Sequence, residues 1–141
     1  MRPRYATTKD VPEVEDLLRT CQLPVEGVRE HINRYLVSRD SGGIIGCAGL
    51  EQFGKVGLLR CIAVARRARF AGLGDFILSR LVADARERGI ESLVVHSTGA
   101  ERYFEQIGFT AAETSELPDD LRRSLERTLP CAAIDIMQVA L

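Results

Sequence analysis

Arg69, Gly72 and Gly74 form an R-x-x-G-x-G string between two segments of different character. Before it, Val56-Gly57-Leu58-Leu59-Arg60-Cys61-Ile62-Ala63-Val64 is an apolar run that predicts a strand. After it, Leu73, Phe76, Ile77, Leu81, Val82 and Ala85 recur at helical spacing up to Gly89, a C-terminal cap. A glycine-containing turn from strand to helix aims backbone N–H groups and a helix dipole at an anion, typically a phosphate. The string is not the G-x-x-x-x-G-K-[ST] of a nucleoside-triphosphate loop. Nor is it the G-x-G-x-x-G of a dinucleotide fold, which opens a βαβ unit. A pyrophosphate site is the reading that uses strand, turn and helix together.

Polar residues inside or ending the apolar strands are the other candidates for chemistry. Arg60 interrupts its run, and period-two alternation puts it on the face of Leu58 and Ile62. A cation there must be paired or face a solvent cleft. It serves either as a bidentate reader of an acidic substrate group or as half of a structural ion pair. Glu51, at the end of the preceding strand, is a partner for Arg60, a base acting through a water, or a solvated carboxylate. His96 is either a base at the cleft or a packed, hydrogen-bonded strand residue. Ser97 and Thr98 end the same strand, and their hydroxyls either cap the next helix or reach a reacting sulfur.

About thirty residues after the glycine turn come Ser92-Leu93-Val94-Val95-His96, a short helix, and Tyr103-Phe104-Glu105-Gln106-Ile107-Gly108-Phe109. R-x-x-G-x-G followed by aromatic-E-x-x-G-F at this spacing resembles the GNAT superfamily of N-acetyltransferases. The resemblance implies acetyl-CoA as co-substrate, no metal, and a central strand that splays from its neighbour. In that mapping the N–H of Ile62 faces the acetyl carbonyl, and Ala63 and Val64 run beside the pantetheine arm. Backbone N–H groups of Arg69, Phe70, Ala71, Gly72, Leu73, Gly74 and Asp75 hold the pyrophosphate. The helix of Phe104 lies beside the pantetheine. Two positions depart from the family pattern: Phe70 and Ala71 replace its glycine and frequent basic residue, leaving Arg66 and Arg67 to supply charge. Phe104 also stands where many members have a tyrosine acid. Tyr103 is one residue early, about 100° round the helix. Asp75 is a capping residue in the simplest reading.

Gly46-Cys47-Ala48-Gly49-Leu50-Glu51, Leu58 to Val64, Ser97-Thr98, Phe104-Glu105, Gly108-Phe109, Leu117-Pro118, Leu129-Pro130-Cys131 and Met137 are similar to a narrower group. These are the small arsenic-resistance N-acetyltransferases, relatives of the acetyltransferase domain of N-acetylglutamate synthase. The resemblance implies acetylation of the α-amine of a glutamate-like amino acid, or of an analogue carrying arsenic or phosphorus. The strand carboxylate expected as the synthase's base falls on Leu58, which favours an analogue over glutamate itself.

These groups must be positioned by one domain spanning 1–141. A first strand is expected over Arg2 to Ala6. A helix follows, capped by Thr8 or Asp10, with Pro12 in its first turn and Val11, Val14, Leu17, Leu18 and Cys21 on one face. Val28 to Tyr35 predicts a second helix and Tyr35 to Arg39 a strand. Asp40-Ser41-Gly42-Gly43 is a hairpin turn signal leading to the strand Ile44 to Glu51. Beyond Phe109, Thr110 to Ala112 continues a strand, Leu117-Pro118-Asp119-Asp120 opens a polar helix, and Ala132 to Val139 alternates as the last strand. The fold class is α/β. It has a mixed sheet of about six to seven strands, helices on both faces, an antiparallel front and parallel pairing near the cofactor.

The 141 residues are 45% hydrophobic, with Lys+Arg 19, Asp+Glu 20 and a net charge of -1. That balance predicts neither nucleic acid nor membrane as a partner. No signal-peptide region is evident and no C-x-x-C pair occurs, so the four cysteines read as scattered thiols of a cytoplasmic protein. The expected activity is acetyl transfer to a small amine by direct attack in a ternary complex. Ile62, Glu51, Ser97 and Thr98 are the catalytic candidates, and Arg60, Glu51 and His96 the acceptor-binding ones. The alternatives are a non-catalytic acyl-CoA sensor or acetylation of a protein amine. The sequence does not fix the oligomeric state; the resemblance allows a homodimer, for which the last strand is a candidate edge.

Overall fold

The computed structural model describes residues 2–69, 72–97, 100–128 and 135–141. Seven strands form one sheet: β1 (Arg4–Tyr5), β2 (Tyr35–Asp40), β3 (Gly43–Phe53), β4 (Val56–Val64), β5 (Ser92–His96), β6 (Thr110–Ala112) and β7 (Ile136–Ala140). Five helices accompany them: α1 (Val11–Thr20), α2 (Val28–His31), α3 (Leu73–Glu87), α4 (Glu101–Gln106) and α5 (Asp119–Thr128). The strand order is β1-β2-β3-β4-β5-β7-β6. β1, β2 and β3 pair antiparallel, and β4 pairs parallel with β5, as the sequence predicts. The last strand is not an edge. β7 lies between β5 and β6 and is antiparallel to both, so it cannot offer itself for pairing with a second copy. Alternation within one strand gives its faces but not its neighbours, which is why sequence placed it wrongly.

Internal contacts divide the chain into two compact units, Met1–Leu50 with Cys61–Asp84, and Glu51–Arg60 with Ala85–Leu141. In the first unit, Val11, Val14, Leu17 and Leu18 form the buried stripe of α1 and pack with Val28, Ile32, Tyr35, Val37, Ile44 and Cys47. The expected second helix is shorter: α2 gives way to a 3-10 turn, Ile32–Arg34, and β2 begins at Tyr35. Helix α3 approaches β3 at Gly46. A Cβ there would lie 2.7 Å from Ile77 Cδ1 and 3.1 Å from Leu73 Cδ2, so only glycine lets the helix sit this close.

In the second unit, Leu117, Leu121 and Leu125 pack on Leu58, Val94 and Ile136, with Phe53, Val56 and Ala112 at the margin. Leu121 and Leu125 are four residues apart on one face of α5. Fully burying side chains of this size is worth about 1.5–3 kcal/mol each.

The entry to α1 is organised by Asp10. Its carboxylate accepts from both Nη atoms of Arg4, at 2.9 and 3.1 Å, and from the Thr7 N–H at 2.8 Å. Thr7 and Asp10 form a capping box around the 3-10 turn Thr8–Asp10, and Asp10 is also the N-cap of α1. The Arg4 hydrogen bonds are the main cause holding the Asp10 pKa down at about 2, below its ordinary 3.8. A lowered carboxylate pKa stabilises the fold above the unfolded value, and that contribution disappears as pH falls through the folded one. Asp10→Asn is therefore expected to cost about 1–2 kcal/mol at pH 7, after discounting for the exposed arginine. In urea denaturation followed over pH, the gap to wild type should stay level above about 4 and close towards pH 2.

Candidate active site

The glycine turn lies wholly in the first unit. Gly72 has φ +76°, a left-handed backbone that side chains rarely adopt, and open space lies where its Cβ would be. Its carbonyl accepts the N–H of Phe76 at 3.0 Å, so the fifteen-residue α3 begins directly after it. Leu73 is buried, which anchors the first turn, while Asp75 is exposed in that turn, where a carboxylate complements the helix dipole. Gly74 follows Leu73 inside the helix. Gly72 thus turns the chain directly into the N-terminus of α3, the kind of helix end that suits a phosphate. Phe70 and Ala71 lie outside the described residues.

The nearby arginines are largely committed to the protein. Arg69 Nε donates to the Val64 carbonyl at 3.0 Å, and its Nη2 donates to Cys21 Sγ at 3.6 Å. Arg67 Nη2 donates to Asp40 Oδ1 at 2.8 Å, pinning a 3-10 turn, Arg66–Ala68, to the β2–β3 hairpin. Sequence expected Arg66 and Arg67 to compensate for the altered loop. Of Arg66, Arg67 and Arg69, Arg66 alone is exposed with no side-chain hydrogen bond or ion pair among the described residues. Ala63 is buried in the core of this unit, and Ile62 and Val64 are half-buried on β4. Parallel pairing of β4 with β5 runs from Val56↔Ser92 to Leu59↔Val95, and β4 continues to Val64.

Cys21, Cys47 and Cys61 are free thiols. Cys61 beside it, together with burial, pushes the Cys47 thiol well above its ordinary range, which keeps it protonated and a poor nucleophile. Among the described residues no group of His, Cys, Asp and Glu is arranged to hold a metal. No described helix is long and apolar enough to cross a membrane.

The second unit brings Glu51, Arg60 and a residue that sequence reading missed, Ser124, into one cluster. Arg60 Nη1 donates to Ser124 Oγ at 3.0 Å, and Ser124 Oγ donates to Glu51 Oε1 at 3.2 Å. Arg60 and Glu51 stand 4.0 Å apart, each side chain 13% exposed. The choice left open for Arg60 is answered in part, because it does have a carboxylate partner, reached through a hydroxyl. Ser124 carries no motif; its only signal is the three-residue step from Leu121, which puts it beside the buried stripe of α5.

His96 ends β5 opposite Ile136. Burial lowers its pKa, with Asp135 and Glu101 acting in the opposite sense, so the imidazole is neutral at pH 7 and able to accept a proton. Ser97 is buried; its N–H donates to the Asp135 carbonyl at 3.0 Å and its carbonyl accepts the Ala100 N–H at 2.8 Å. The N-cap of α4 is Ala100, without a side-chain cap bond. Thr98 lies outside the described residues. Phe104 is buried, edge-on to Tyr103 at 5.3 Å and to Phe109 at 5.2 Å, and so is a core aromatic.

Residues 31–111 match the family model described as Acetyltransferase (GNAT) domain. The amino-acid acetyltransferase of Pasteurella multocida (strain Pm70) is 33% identical over 129 residues, covering 85% of this chain and 29% of that protein. N-acetylglutamate synthase from Neisseria gonorrhoeae, complexed with coenzyme A and N-acetyl-glutamate, superposes with a TM-score of 0.87 at 27% identity, over 99% of this chain and 34% of that one. Rv2747 from Mycobacterium tuberculosis, in complex with CoA and NLQ, has a TM-score of 0.80 at 22% identity, covering 99% and 98% of the two chains, and shows the shared fold. The chain belongs to the GNAT acetyltransferase family. It spans less than a third of the length of the curated relative above.

Gly72→Ala is expected to lose about 1–2 kcal/mol, the cost of a left-handed backbone for a residue with a Cβ. Thermal denaturation of the two proteins would measure it, and an unchanged midpoint would mean that the turn adopts another backbone.

Proposed function

We propose that this chain transfers an acetyl group from acetyl-CoA to the α-amine of an acidic amino acid or of an analogue carrying arsenic or phosphorus. The observation that carries the reading is Arg60, a cation held on β4 two residues before Ile62 and bridged by Ser124 to Glu51. A partly exposed arginine in an otherwise apolar strand suits a carboxylate or its arsenic and phosphorus counterparts. The relatives named for amino-acid acetylation support the acceptor class.

Acetyl-CoA supplies an activated thioester: the N–C bond to the amine forms as the C–S bond breaks, the amine loses a proton, and the sulfur gains one. The segment Arg69 to Asp75, leading into α3, takes the pyrophosphate through backbone N–H groups. The Ile62 N–H stabilises charge on the acetyl oxygen, and Ala63 and Val64 flank the pantetheine. The altered loop then relies on backbone and dipole more than on Arg67 and Arg69, whose guanidinium groups are engaged elsewhere. Glu51, through a water, or neutral His96 removes the amine proton, and the Ser97 or Thr98 hydroxyl delivers one to the sulfur. Attack is direct, since the protonated Cys47 makes a poor acceptor of the acetyl group. We place the chain in the cytoplasm, alone or as a homodimer.

Free-thiol release from acetyl-CoA should depend on added amine across glutamate, aspartate, phosphinothricin and arsinothricin, with neutral amino acids as poor acceptors. Arg60→Met should raise KM for the acidic acceptors on the order of tenfold to a hundredfold. Calorimetric binding of coenzyme A with no turnover on any amine would instead make the chain an acyl-CoA sensor or direct it to a protein amine.

A further inference from the structure

We propose that Ser124 is the positioning residue that keeps Arg60 available to an anionic acceptor by holding it off Glu51. The inference rests on the reading of Arg60 as the acceptor's carboxylate site, and it adds a residue from α5 to that site.

An arginine and a carboxylate this sheltered from solvent normally close into two parallel hydrogen bonds with N···O about 2.7–2.9 Å. Here the closest approach is 4.0 Å, because the Ser124 hydroxyl stands between them. It accepts from Arg60 Nη1 at 3.0 Å and donates to Glu51 Oε1 at 3.2 Å. Both protein contacts of Arg60 use Nη1. Among the described residues, Nε and Nη2 have no hydrogen-bond partner. The guanidinium therefore keeps an unused edge of its fork, the feature that binds a carboxylate or an arsonate-like or phosphinate-like group in bidentate fashion.

The hydroxyl cannot swing aside freely. Ser124 is 3% exposed, and Leu121 and Leu125 fix α5 against Leu58, Val94 and Ile136. Leu58 precedes Arg60 by two residues on the same strand, so the packing that seats the helix also sets the height of the serine along β4. Removing the hydroxyl takes away the wedge, and Arg60 then closes on Glu51 and withdraws its fork from the acceptor.

Steady-state kinetics on the full chain at saturating acetyl-CoA test this, with glutamate and its side-chain amide glutamine as the paired acceptors. Ser124→Ala should raise KM for the acid about tenfold, with kcat and the KM for acetyl-CoA essentially unchanged and little change for the amide. Ser124→Thr keeps the hydroxyl and should restore the KM. In the double variant Ser124→Ala/Glu51→Gln the arginine has no full charge to collapse onto, and KM should return to that of Glu51→Gln alone. This cycle carries the test if threonine proves too large for the buried position.

An unchanged KM in Ser124→Ala overturns the proposal, as do equal shifts for acid and amide or a double variant no better than the single one. The two levels fail differently. If Arg60→Met leaves the preference for acids intact, or no amine is turned over, the reading beneath falls and this inference with it. If Arg60→Met abolishes that preference while Ser124→Ala keeps it, only the role of Ser124 is lost.

Discussion

Helix α3 reaches its position because Gly46 has no side chain. Ile77 and Leu73 occupy the space that a Cβ at 46 would need, and Leu73 is the first residue of the helix. The close contact of α3 with β3 therefore fixes where the helix begins, and with it the direction of its first turn. Gly72 makes the sharp entry with φ +76°, while Gly46 makes the seat. One glycine works through backbone freedom and the other through absent volume. Together they place the N-terminus of α3.

The arginines before that turn are bonded within the protein. Arg69 folds back on the Val64 carbonyl and Cys21, and Arg67 on Asp40. These bonds tie Arg67 and Arg69 to β4, to the end of α1 and to the β2–β3 hairpin, while the first turn of α3 carries the positive end of the helix dipole. That division is consistent with Asp75 in the first turn, which the dipole favours whether or not an anion is present.

Much of the fold was legible because hydrophobic periodicity changes sharply along the chain. β4 and β5 have the predicted bounds, α3 begins at the predicted Leu73, and the Asp40 hairpin joins the predicted strands. The shorter α2 followed from a 3-10 turn that shares the α-helical pattern over so few residues. The position of β7 was illegible for a different reason. Its alternation reports a half-buried strand and is silent on whether β6 lies outside it. At the site, glycines and charged strand residues announced themselves, since each breaks a local rule. Ser124 breaks none: a serine near a buried helix face is ordinary, and only tertiary packing brings it between Arg60 and Glu51.

That serine also explains how a cation persists in an apolar strand without being neutralised. A direct Arg60–Glu51 pair would satisfy both charges and leave neither for chemistry. No partner at all would leave a sheltered guanidinium uncompensated, which costs several kcal/mol. A hydroxyl between them gives an intermediate state. Arg60 donates one hydrogen bond to the hydroxyl and Glu51 accepts one from it, their attraction is retained at 4.0 Å, and the remaining guanidinium donors are not consumed. Such a state depends on the rigidity of the element that carries the hydroxyl, because a mobile serine would let the ions meet. The leucine-packed face of α5 meets that requirement, so the hydrophobic core of this unit and the electrostatics of its polar cluster are set by the same helix.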